Sequence, residues 1–340
     1  MGILVNLQPG RIGRSTTDVR SRRPAVPHLA SRHAALREFG FRPHEAAWLT
    51  LVCLHSGVFT RTQFTEHHRC HRKKTSRFLR ALTERGFVRE HPLPGAGTRL
   101  RYTHVYDRRL YRALGVENLR HRRNPKENVV LFRRLLSFDQ VIRHPRLPWL
   151  ATEEEKVSHF KARGIRRHHL PSRIYGGAAK RVRRYFALRL PIAADHRSAT
   201  FVYADPGRET DTELRSWAVS HRHLWVRLRA LGTEVHVAVV ARTLVKQHEL
   251  SRRVASWTSA RSNARPLTPE ERETLAAIRA ALYATDISAL QQWGGLNPAR
   301  RLAIGLRKRA DLEAVGGMSG PAIDGYSTHH AQHLGPLGLA

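Results

Sequence analysis

Apolar residues recur at helical spacing in two stretches near the start of the chain. The first stretch, residues 44–56, ends before Gly57, and its apolar stripe consists of Trp48, Leu51, Val52 and Leu54. The second, residues 73–86, ends at Gly86, and its stripe consists of Phe78, Leu79 and Leu82. Between them, Thr60 or Thr62 is placed to cap a short helix that buries Phe64. The pattern therefore predicts three successive helices.

A β-hairpin pattern follows the third predicted helix. Its first strand runs from Phe87 to His91, a Pro/Gly-rich tip covers residues 92–97, and its second strand runs from Leu100 to Val105. A short helix at residues 107–115 closes the unit. Three helices followed by a hairpin are the element order of a winged helix-turn-helix, which the sequence predicts over residues 43–115.

The clearest α/β pattern covers residues 185–241. Residues 185–192 and 199–205 have strand character, and residues 234–241 form another apolar run. Between the last two strands, Thr210 and Glu213 have capping-box spacing. The helix behind this cap carries inward-facing residues at helical spacing, namely Leu214, Trp217, His221, Leu224, Trp225, Leu228 and Leu231. Strand, helix and strand joined by short turns predict a βαβ crossover between parallel strands.

The remaining segments complete an α+β protein. Residues 1–42 predict a flexible basic arm with a short helix near residues 29–39, and residues 116–150 predict a linker. Residues 151–260 predict the α/β domain. Thr268 caps a helix within a helical segment at residues 261–315, and the Gly-, Pro- and His-rich residues 316–340 predict a disordered tail.

Net charge is the most unusual property of the composition. The chain contains 60 Lys and Arg against 27 Asp and Glu, for a formal charge of +33. Such an excess repels itself and is tolerated best beside a polyanion, because neutralised phosphates release counterions. Length and domain organisation disfavour a ribosomal protein, and the lack of a basic amphipathic stretch beside an apolar anchor disfavours a membrane-surface protein. We expect nucleic acid as the partner, with duplex DNA preferred and RNA left open.

Cysteine content and hydropathy indicate the compartment. The chain has only two cysteines, so no disulfide framework is expected. No apolar run approaches the roughly 18 residues of a membrane span, and the N-terminal apolar stretch is too short for a signal peptide. We therefore expect a soluble, cytoplasmic protein.

Positive charge concentrates where a winged helix meets DNA. Residues 43–105 contain eleven Lys and Arg against four carboxylates. Around the start of the predicted recognition helix, the candidate DNA-binding residues are His71, Arg72, Lys73, Lys74, Thr75, Arg77 and Arg80. On the hairpin they are Arg89, Arg99 and Arg101. The alternative is a protein-interaction winged helix whose basic face is only solvated.

A second cationic segment lies in the predicted α/β domain. Residues 161–189 contain ten Lys and Arg and no carboxylate. The candidate phosphate contacts in this segment are Arg163, Arg166, Arg167, Lys180, Arg181, Arg183 and Arg184.

Three passages in this half resemble a known family. They are LPSR at residues 170–173, FVYAD at residues 201–205 and the following run from DPGRETDTELRSW to EVHVAVVAR. Together they resemble the replication-relaxation family of plasmid and mobile-element proteins, over roughly residues 44–242. The resemblance implies a winged helix followed by a restriction-endonuclease-like domain. It also implies a role in replication of a plasmid or conjugative element, in DNA relaxation, or in their control.

The residues expected of an active nuclease of that fold are missing from their usual positions. Such a nuclease holds Mg²⁺ with a carboxylate at one strand end and a second acid two positions before a lysine. Ser172 occupies the position of the first carboxylate. Tyr203 occupies the position of the second acid, and Asp205 that of the lysine. A metal site reassembled from other carboxylates stays open as an alternative, and its candidates are Glu153, Glu154, Glu155, Asp205 and Glu209. A His/Cys site is a further alternative, with His67, His68, Cys70 and His71.

The sequence therefore predicts a sequence- or structure-directed binder of double-stranded DNA without catalysis of its own. It would act in replication, transfer or transcriptional control of a plasmid or mobile element, alone or with other proteins of such a complex. We expect no catalytic residue, no metal and no other cofactor. The alternatives are a metal-dependent DNA nuclease or nicking relaxase, and an RNA-binding component of a ribonucleoprotein.

Overall fold

The computed structural model describes residues 27–96, 100–123, 127–176, 181–207, 211–258, 267–313 and 323–334. Several sequence predictions fall outside these ranges. They concern the arm at residues 1–26, the tail at residues 316–322 and 335–340, the predicted helix cap at Thr210, and the individual residues Arg99, Lys180 and Glu209. The described residues form a mixed structure of helices and sheets, as the α+β class requires. No described helix combines the length and the apolar character needed to cross a bilayer.

The first part of the chain is mainly helical. Its helices are α1 (Pro27–Arg37), α2 (Pro43–His55), α3 (Arg61–His68), α4 (Arg72–Glu84) and α5 (Arg108–Ala113). Its strands are β1 (Val58–Thr60), β2 (Val88–Pro92) and β3 (Arg101–Val105), which form an antiparallel sheet in the order β1-β3-β2. The predicted helices and hairpin in residues 44–113 are confirmed, with β1 as an additional strand.

Local hydrogen bonds explain why α3 begins where it does. The Thr60 hydroxyl accepts a hydrogen bond from the Gln63 backbone N–H at 3.2 Å, and the Gln63 side-chain oxygen accepts one from the Thr60 N–H at 2.9 Å. This reciprocal capping box satisfies two backbone donors at the helix start. Phe64 is buried below it, as predicted.

The short helix predicted near residues 29–39 is confirmed as α1, whereas the flexible character predicted for this part of the arm is wrong, because Leu36 and Phe41 are buried. Helix α1 packs against α2 and α5. Leu36 and Phe41 belong to the main hydrophobic core. Only a minority of positions in this segment are apolar, and burial of those few residues anchors it.

The predicted linker contains a helix that packs between the first part of the structure and the larger sheet. After the short α6 (Arg120–Arg123), helix α7 (Asn128–Arg143) packs on α2, α3 and β1 on one side and on the larger sheet on the other. The linker prediction is therefore wrong for these residues. Because α7 is covered on two sides, even its polar residues Ser137, Asp139 and Gln140 are buried. Such a helix lacks the single apolar stripe that marks a surface helix.

A mixed five-stranded sheet forms the second part of the structure. Its strands are β4 (Trp149–Leu150), β7 (Ile192–Ala194), β8 (Ser198–Asp205), β9 (Glu234–Ala241) and β10 (Gly325–His330), in the order β10-β9-β8-β7-β4. Around it lie α8 (Glu153–Ala162), α9 (Asp211–Ala230) and α10 (Leu244–Thr258). Strands β8 and β9 are parallel and joined through α9, so the predicted βαβ unit is confirmed. Leu231 lies past the end of α9 and is exposed rather than inward-facing.

The strand predicted at residues 185–192 is wrong, because only its two end residues, Tyr185 and Ile192, belong to strands. Strands β5 (Ser172–Tyr175) and β6 (Val182–Tyr185) pair with each other in a separate antiparallel ribbon. Strand β7 begins only at Ile192. Between β6 and β7 the chain turns sharply, with positive φ at Phe186 and Arg189.

The predicted disordered tail contributes an edge strand. Strand β10 pairs in parallel with β9 along six residues, and a 3₁₀ turn follows at residues 332–334. The prediction of disorder is therefore wrong for residues 323–334. Backbone hydrogen bonds to β9 hold this segment, so it needs little apolar patterning. Gly325 is required by close packing, because a Cβ there would lie 2.7 Å from Nδ1 of His236.

Two hydrophobic cores are present among the described residues. The larger one runs without a break from Leu36 through α2, α7 and the five-stranded sheet to Leu334, so the boundary predicted near residue 150 does not separate two cores. The smaller one is formed by α11 (Pro269–Ala284), α12 (Ile287–Leu290) and α13 (Leu296–Glu313). Thr268 caps α11 together with Glu271, as predicted.

Candidate nucleic-acid interface

Helix α4 has one buried face and one cationic face. The buried face consists of Thr75, Phe78, Leu79 and Leu82. The exposed positive residues are Arg72, Lys73, Lys74, Arg77 and Arg80. Spacings of three and four residues place the large apolar side chains of Phe78, Leu79 and Leu82 against the core. The positive side chains are thereby left in solvent on a rigid element.

The N-terminus of α4 adds to this positive potential. Its first turn contains no acidic residue. The predicted contact residue His71 is the N-cap, and its Nδ1 accepts a hydrogen bond from the Lys73 backbone N–H at 3.2 Å. The unpaired N–H groups and the helix dipole at such an end attract anions, phosphate in particular.

Thr75 is a structural residue, contrary to its predicted role in DNA binding. It is only 2% exposed, and its hydroxyl lies 2.9 Å from the hydroxyl of Thr65 on α3. This hydrogen bond fixes α4 relative to α3. Thr75 is the fourth residue of α4, three and four positions before Phe78 and Leu79, and so it lies on the apolar stripe. Its polar neighbours in the sequence concealed this position.

The β2–β3 hairpin presents its two described candidate arginines on opposite faces. Arg89 pairs across the hairpin with His104, whereas Arg101 pairs with Pro92, three residues farther along β2. The Arg89 guanidinium lies over the ring of Tyr106 at 4.5 Å. Both arginines are exposed. Because they lie on opposite faces, both arginines can contact the same duplex only if the hairpin inserts its edge into a groove, with one face toward each side of the groove.

The carboxylate of the hairpin is already neutralised. Glu90 accepts two hydrogen bonds from the Arg61 guanidinium, at 3.0 and 2.8 Å. Arg101 donates to the backbone oxygen of Glu90 at 3.2 Å. Glu90 therefore does not repel a phosphate backbone as an isolated carboxylate would.

The second cationic segment divides into structural and exposed arginines. Arg163 donates hydrogen bonds to the backbone oxygens of Asp195 and His196, at 2.6 and 3.2 Å, and to the Thr233 hydroxyl at 2.5 Å. Its guanidinium thus ties the end of α8 to the loops of the sheet, and the predicted phosphate contact is not supported. The exposed members are Arg166, Arg167, Arg181, Arg183 and Arg184.

The candidate catalytic residues do not converge. Ser172 is exposed on β5, whereas Tyr203 and Asp205 are buried in β8. Glu155 contacts Arg32 at 2.7 Å and accepts a hydrogen bond from the Ala151 N–H at 2.8 Å. Within the described ranges, no group of three or more His, Cys, Asp or Glu residues is placed to hold a metal ion.

The histidines before α4 belong to an aromatic cluster. The rings of His67 and His68 lie 5.1 and 5.6 Å from the ring of Trp48. His68 also packs on Phe64 at 4.4 Å. Their spacing in the sequence thus reflects packing on a buried tryptophan.

One group of surface residues was missed by the sequence reasoning. On the β5–β6 ribbon, Arg173 stands beside the exposed apolar residues Ile174, Tyr175 and Val182. The signal was present, because short alternations of arginine with apolar residues flank a Gly-Gly pair at residues 176–177.

Comparison of the chain with protein-family models, curated proteins and solved structures found no match.

Proposed function

We propose that this protein binds double-stranded DNA through a winged helix-turn-helix formed by residues 43–115. Helix α4 is the recognition helix in this proposal, and the β2–β3 hairpin is the wing. One observation carries the proposal: α4 combines a packed apolar face with five exposed cations outside that face, and it has no carboxylate before Glu84. A helix with this division can lie in a major groove without exposing its core.

Electrostatics supplies most of the affinity in this proposal. Each Lys or Arg that neutralises a phosphate of B-DNA contributes about 0.9 to the slope of log affinity against log salt concentration. If all five α4 cations make such contacts, α4 alone accounts for a slope of about 4.5. The exposed arginines at positions 166, 167, 181, 183 and 184 would add contacts from the α/β half.

The biological role extends the same proposal. The resemblance of residues 44–242 to the replication-relaxation family supports a role in replication, transfer or transcriptional control of a plasmid or mobile element. The five-stranded sheet and its helices act here as a restriction-endonuclease-like scaffold without catalysis. Such a role places the protein in the cytoplasm, alone or with other proteins that act on the same DNA.

The test compares two triple variants with the same change in charge. The first is Lys73→Glu/Lys74→Glu/Arg77→Glu on α4. The matched control is Arg300→Glu/Arg301→Glu/Arg307→Glu on α13, where all three side chains are exposed. Binding to a fluorescent mixed-sequence duplex at ~150 mM salt is measured by anisotropy. We expect the α4 variant to lose at least ~30-fold in affinity and the control to lose less than ~5-fold.

A neutral version of the α4 variant tests the mechanism directly. Lys73→Gln/Lys74→Gln/Arg77→Gln removes three contacts, so the salt slope should fall by about 2.7. Equal losses in the two glutamate variants would show that net charge, and not α4, governs binding. Competition with a structured RNA completes the test, because RNA displacing the duplex at lower concentration would favour the ribonucleoprotein alternative.

A nuclease is the second candidate, and one observation favours it. Asp205 is fully buried at the end of β8, its Oδ2 has no hydrogen-bond partner in the described structure, and burial raises the pKa of its carboxyl group. Its other oxygen accepts a hydrogen bond from the Gly207 N–H at 2.7 Å. Incubation of supercoiled plasmid with the protein and Mg²⁺ or Mn²⁺ tests this function. Nicking by the native chain that Asp205→Ala abolishes would replace the non-catalytic proposal.

A further inference from the structure

The β5–β6 ribbon stands apart from both other sheets. Among the described strands, β5 and β6 pair only with each other, and every one of their residues except Tyr185 is exposed. A two-stranded ribbon with two solvated faces gains little stability from its own packing. It nevertheless presents large apolar side chains, since Ile174 is 54%, Tyr175 is 44% and Val182 is 37% exposed.

The strand register divides these side chains between two faces. Residues directly opposite each other in an antiparallel pair share a face, and the faces alternate along each strand. The pairs Tyr175–Val182 and Arg173–Arg184 therefore lie on one face. On that face the apolar pair is at the outer end of the ribbon, and the two arginines lie about 7 Å nearer its base.

The base of the ribbon is firmly attached. The Tyr185 N–H donates a hydrogen bond to Oε1 of Glu153 at 2.9 Å, and the Phe186 N–H donates to the Pro171 oxygen at 2.8 Å. Phe186 is buried and has a φ of 51°, a conformation that only firm surrounding contacts maintain in a residue other than glycine. The ribbon thus has a fixed root, from which its apolar outer end extends.

Charge identifies the kind of partner. Residues 161–189 contain no carboxylate, and arginines stand on both faces of the ribbon. At its base, Oε2 of Glu153 lies 3.9 Å from Nη1 of Arg184, and both side chains remain partly exposed. An apolar pair set among arginines complements a duplex groove that lies between two phosphate backbones.

We infer that the β5–β6 ribbon is a DNA-bending element. The Tyr175–Val182 pair enters a groove and wedges against a base step, while Arg173 and Arg184 contact the flanking phosphates. Partial unstacking of a step by an apolar wedge kinks the duplex. This inference rests on the proposal that the partner is duplex DNA, and it adds a second contact with a mechanical effect.

The test measures bending without requiring a known target sequence. A ~120-bp fragment is shorter than the ~150-bp persistence length of DNA, so ligase closes it into a circle rarely unless a protein bends it. The variant is Tyr175→Ser/Val182→Ser. The matched control is Tyr283→Ser/Val245→Ser, which removes the same two side chains from exposed positions on α11 and α10.

We expect the native chain to raise the yield of circles at least ~5-fold over free DNA. The ribbon variant should return the yield to that of free DNA while its affinity for a linear duplex changes less than ~3-fold. The control should behave as the native chain. Because all four positions are exposed, thermal unfolding should be unchanged in both variants.

Three outcomes would overturn the inference. If the native chain binds DNA but does not raise the yield of circles, the bending role is refuted and the proposed function is unaffected. If the ribbon variant raises the yield of circles as much as the native chain does, the Tyr175–Val182 pair is not the wedge. A dimer of the native chain in sedimentation that the ribbon variant converts to a monomer assigns the ribbon to self-association. Failure of the native chain to bind any duplex refutes the proposed function itself, and is recognised before ligase is added.

Discussion

Replacement of the buried Lys156 by methionine should stabilise the protein near neutral pH. Lys156 lies on α8 and is only 3% exposed, and its Nζ donates one hydrogen bond, to the Leu190 backbone oxygen at 2.7 Å. Burial, and then repulsion from the Arg122 guanidinium, lower the pKa of Lys156 from 10.5 to about 7, against the attraction of Glu155 and Glu153. The fold therefore carries a lysine that is costly to keep charged.

The size of the effect follows from linkage. One pH unit corresponds to about 1.4 kcal/mol, so the fall from 10.5 to about 7 sets an upper bound of about 5 kcal/mol on the cost below pH 7. Methionine has similar length and no charge, but it leaves the Leu190 oxygen without its donor, at a cost of about 1 kcal/mol. Relaxation around a buried charge reduces the gain further. We expect Lys156→Met to raise the free energy of unfolding by about 1–3 kcal/mol at pH 7.

The dependence on pH separates this mechanism from improved packing. Because the pKa of Lys156 is lowered in the folded state, burial of this lysine carries no penalty above pH 10.5. The penalty grows, and the free energy of unfolding falls, as the pH decreases toward 7. The native chain should therefore gain stability from pH 7 to pH 9.5, and the advantage of Lys156→Met should shrink by up to ~1.4 kcal/mol per pH unit. Urea unfolding of both proteins at three pH values measures the difference. A difference that stays constant over this range would refute the reasoning.

Two further predictions concern the fold. In urea unfolding, Gly57→Ala should destabilise the protein by at least ~2 kcal/mol more than Gly115→Ala. Both glycines have positive φ, so the backbone cost is similar. A Cβ at Gly57, however, would lie 2.4 Å from the Arg122 backbone oxygen, whereas a Cβ at Gly115 would meet nothing within 4 Å. Equal losses of stability in the two variants would mean that the positive φ, and not the close approach to Arg122, determines the cost. Burial lowers the pKa of His221 to about 4. The neutral histidine therefore contributes up to about 3 kcal/mol to the free energy of unfolding, fully above pH 6.5, and this contribution is lost as the pH falls to 4. His221→Phe should flatten the decline in stability over this range, and an unchanged decline would assign it to other groups.

Much of the secondary structure was predictable because it is specified locally. Helix α4 follows from apolar residues three and four positions apart, and α11 from the Thr268 and Glu271 cap. The parallel β8–α9–β9 unit follows from two apolar runs around an amphipathic helix. In each case the residues that determine the element lie within or beside it.

The failures share a different cause. The sequence predicts a linker at α7 because a helix buried between two layers needs no polar face and shows no clear helical stripe. The sequence predicts a disordered tail at β10 because the hydrogen-bond partners of this strand come from β9, more than eighty residues earlier. Neither partner is visible in the local pattern of the segment concerned.

The candidate interface shows the same division. The sequence alone determined the excess of positive charge and its concentration near α4 and in residues 161–189. Only the tertiary structure decided which of these residues remain in solvent. It buried Thr75 against α3 and occupied Arg163 with internal hydrogen bonds, and it set Tyr175 beside Val182 on an exposed ribbon. The reason is that charge and periodicity are properties of the chain, whereas exposure depends on the distant segments that pack against each side chain.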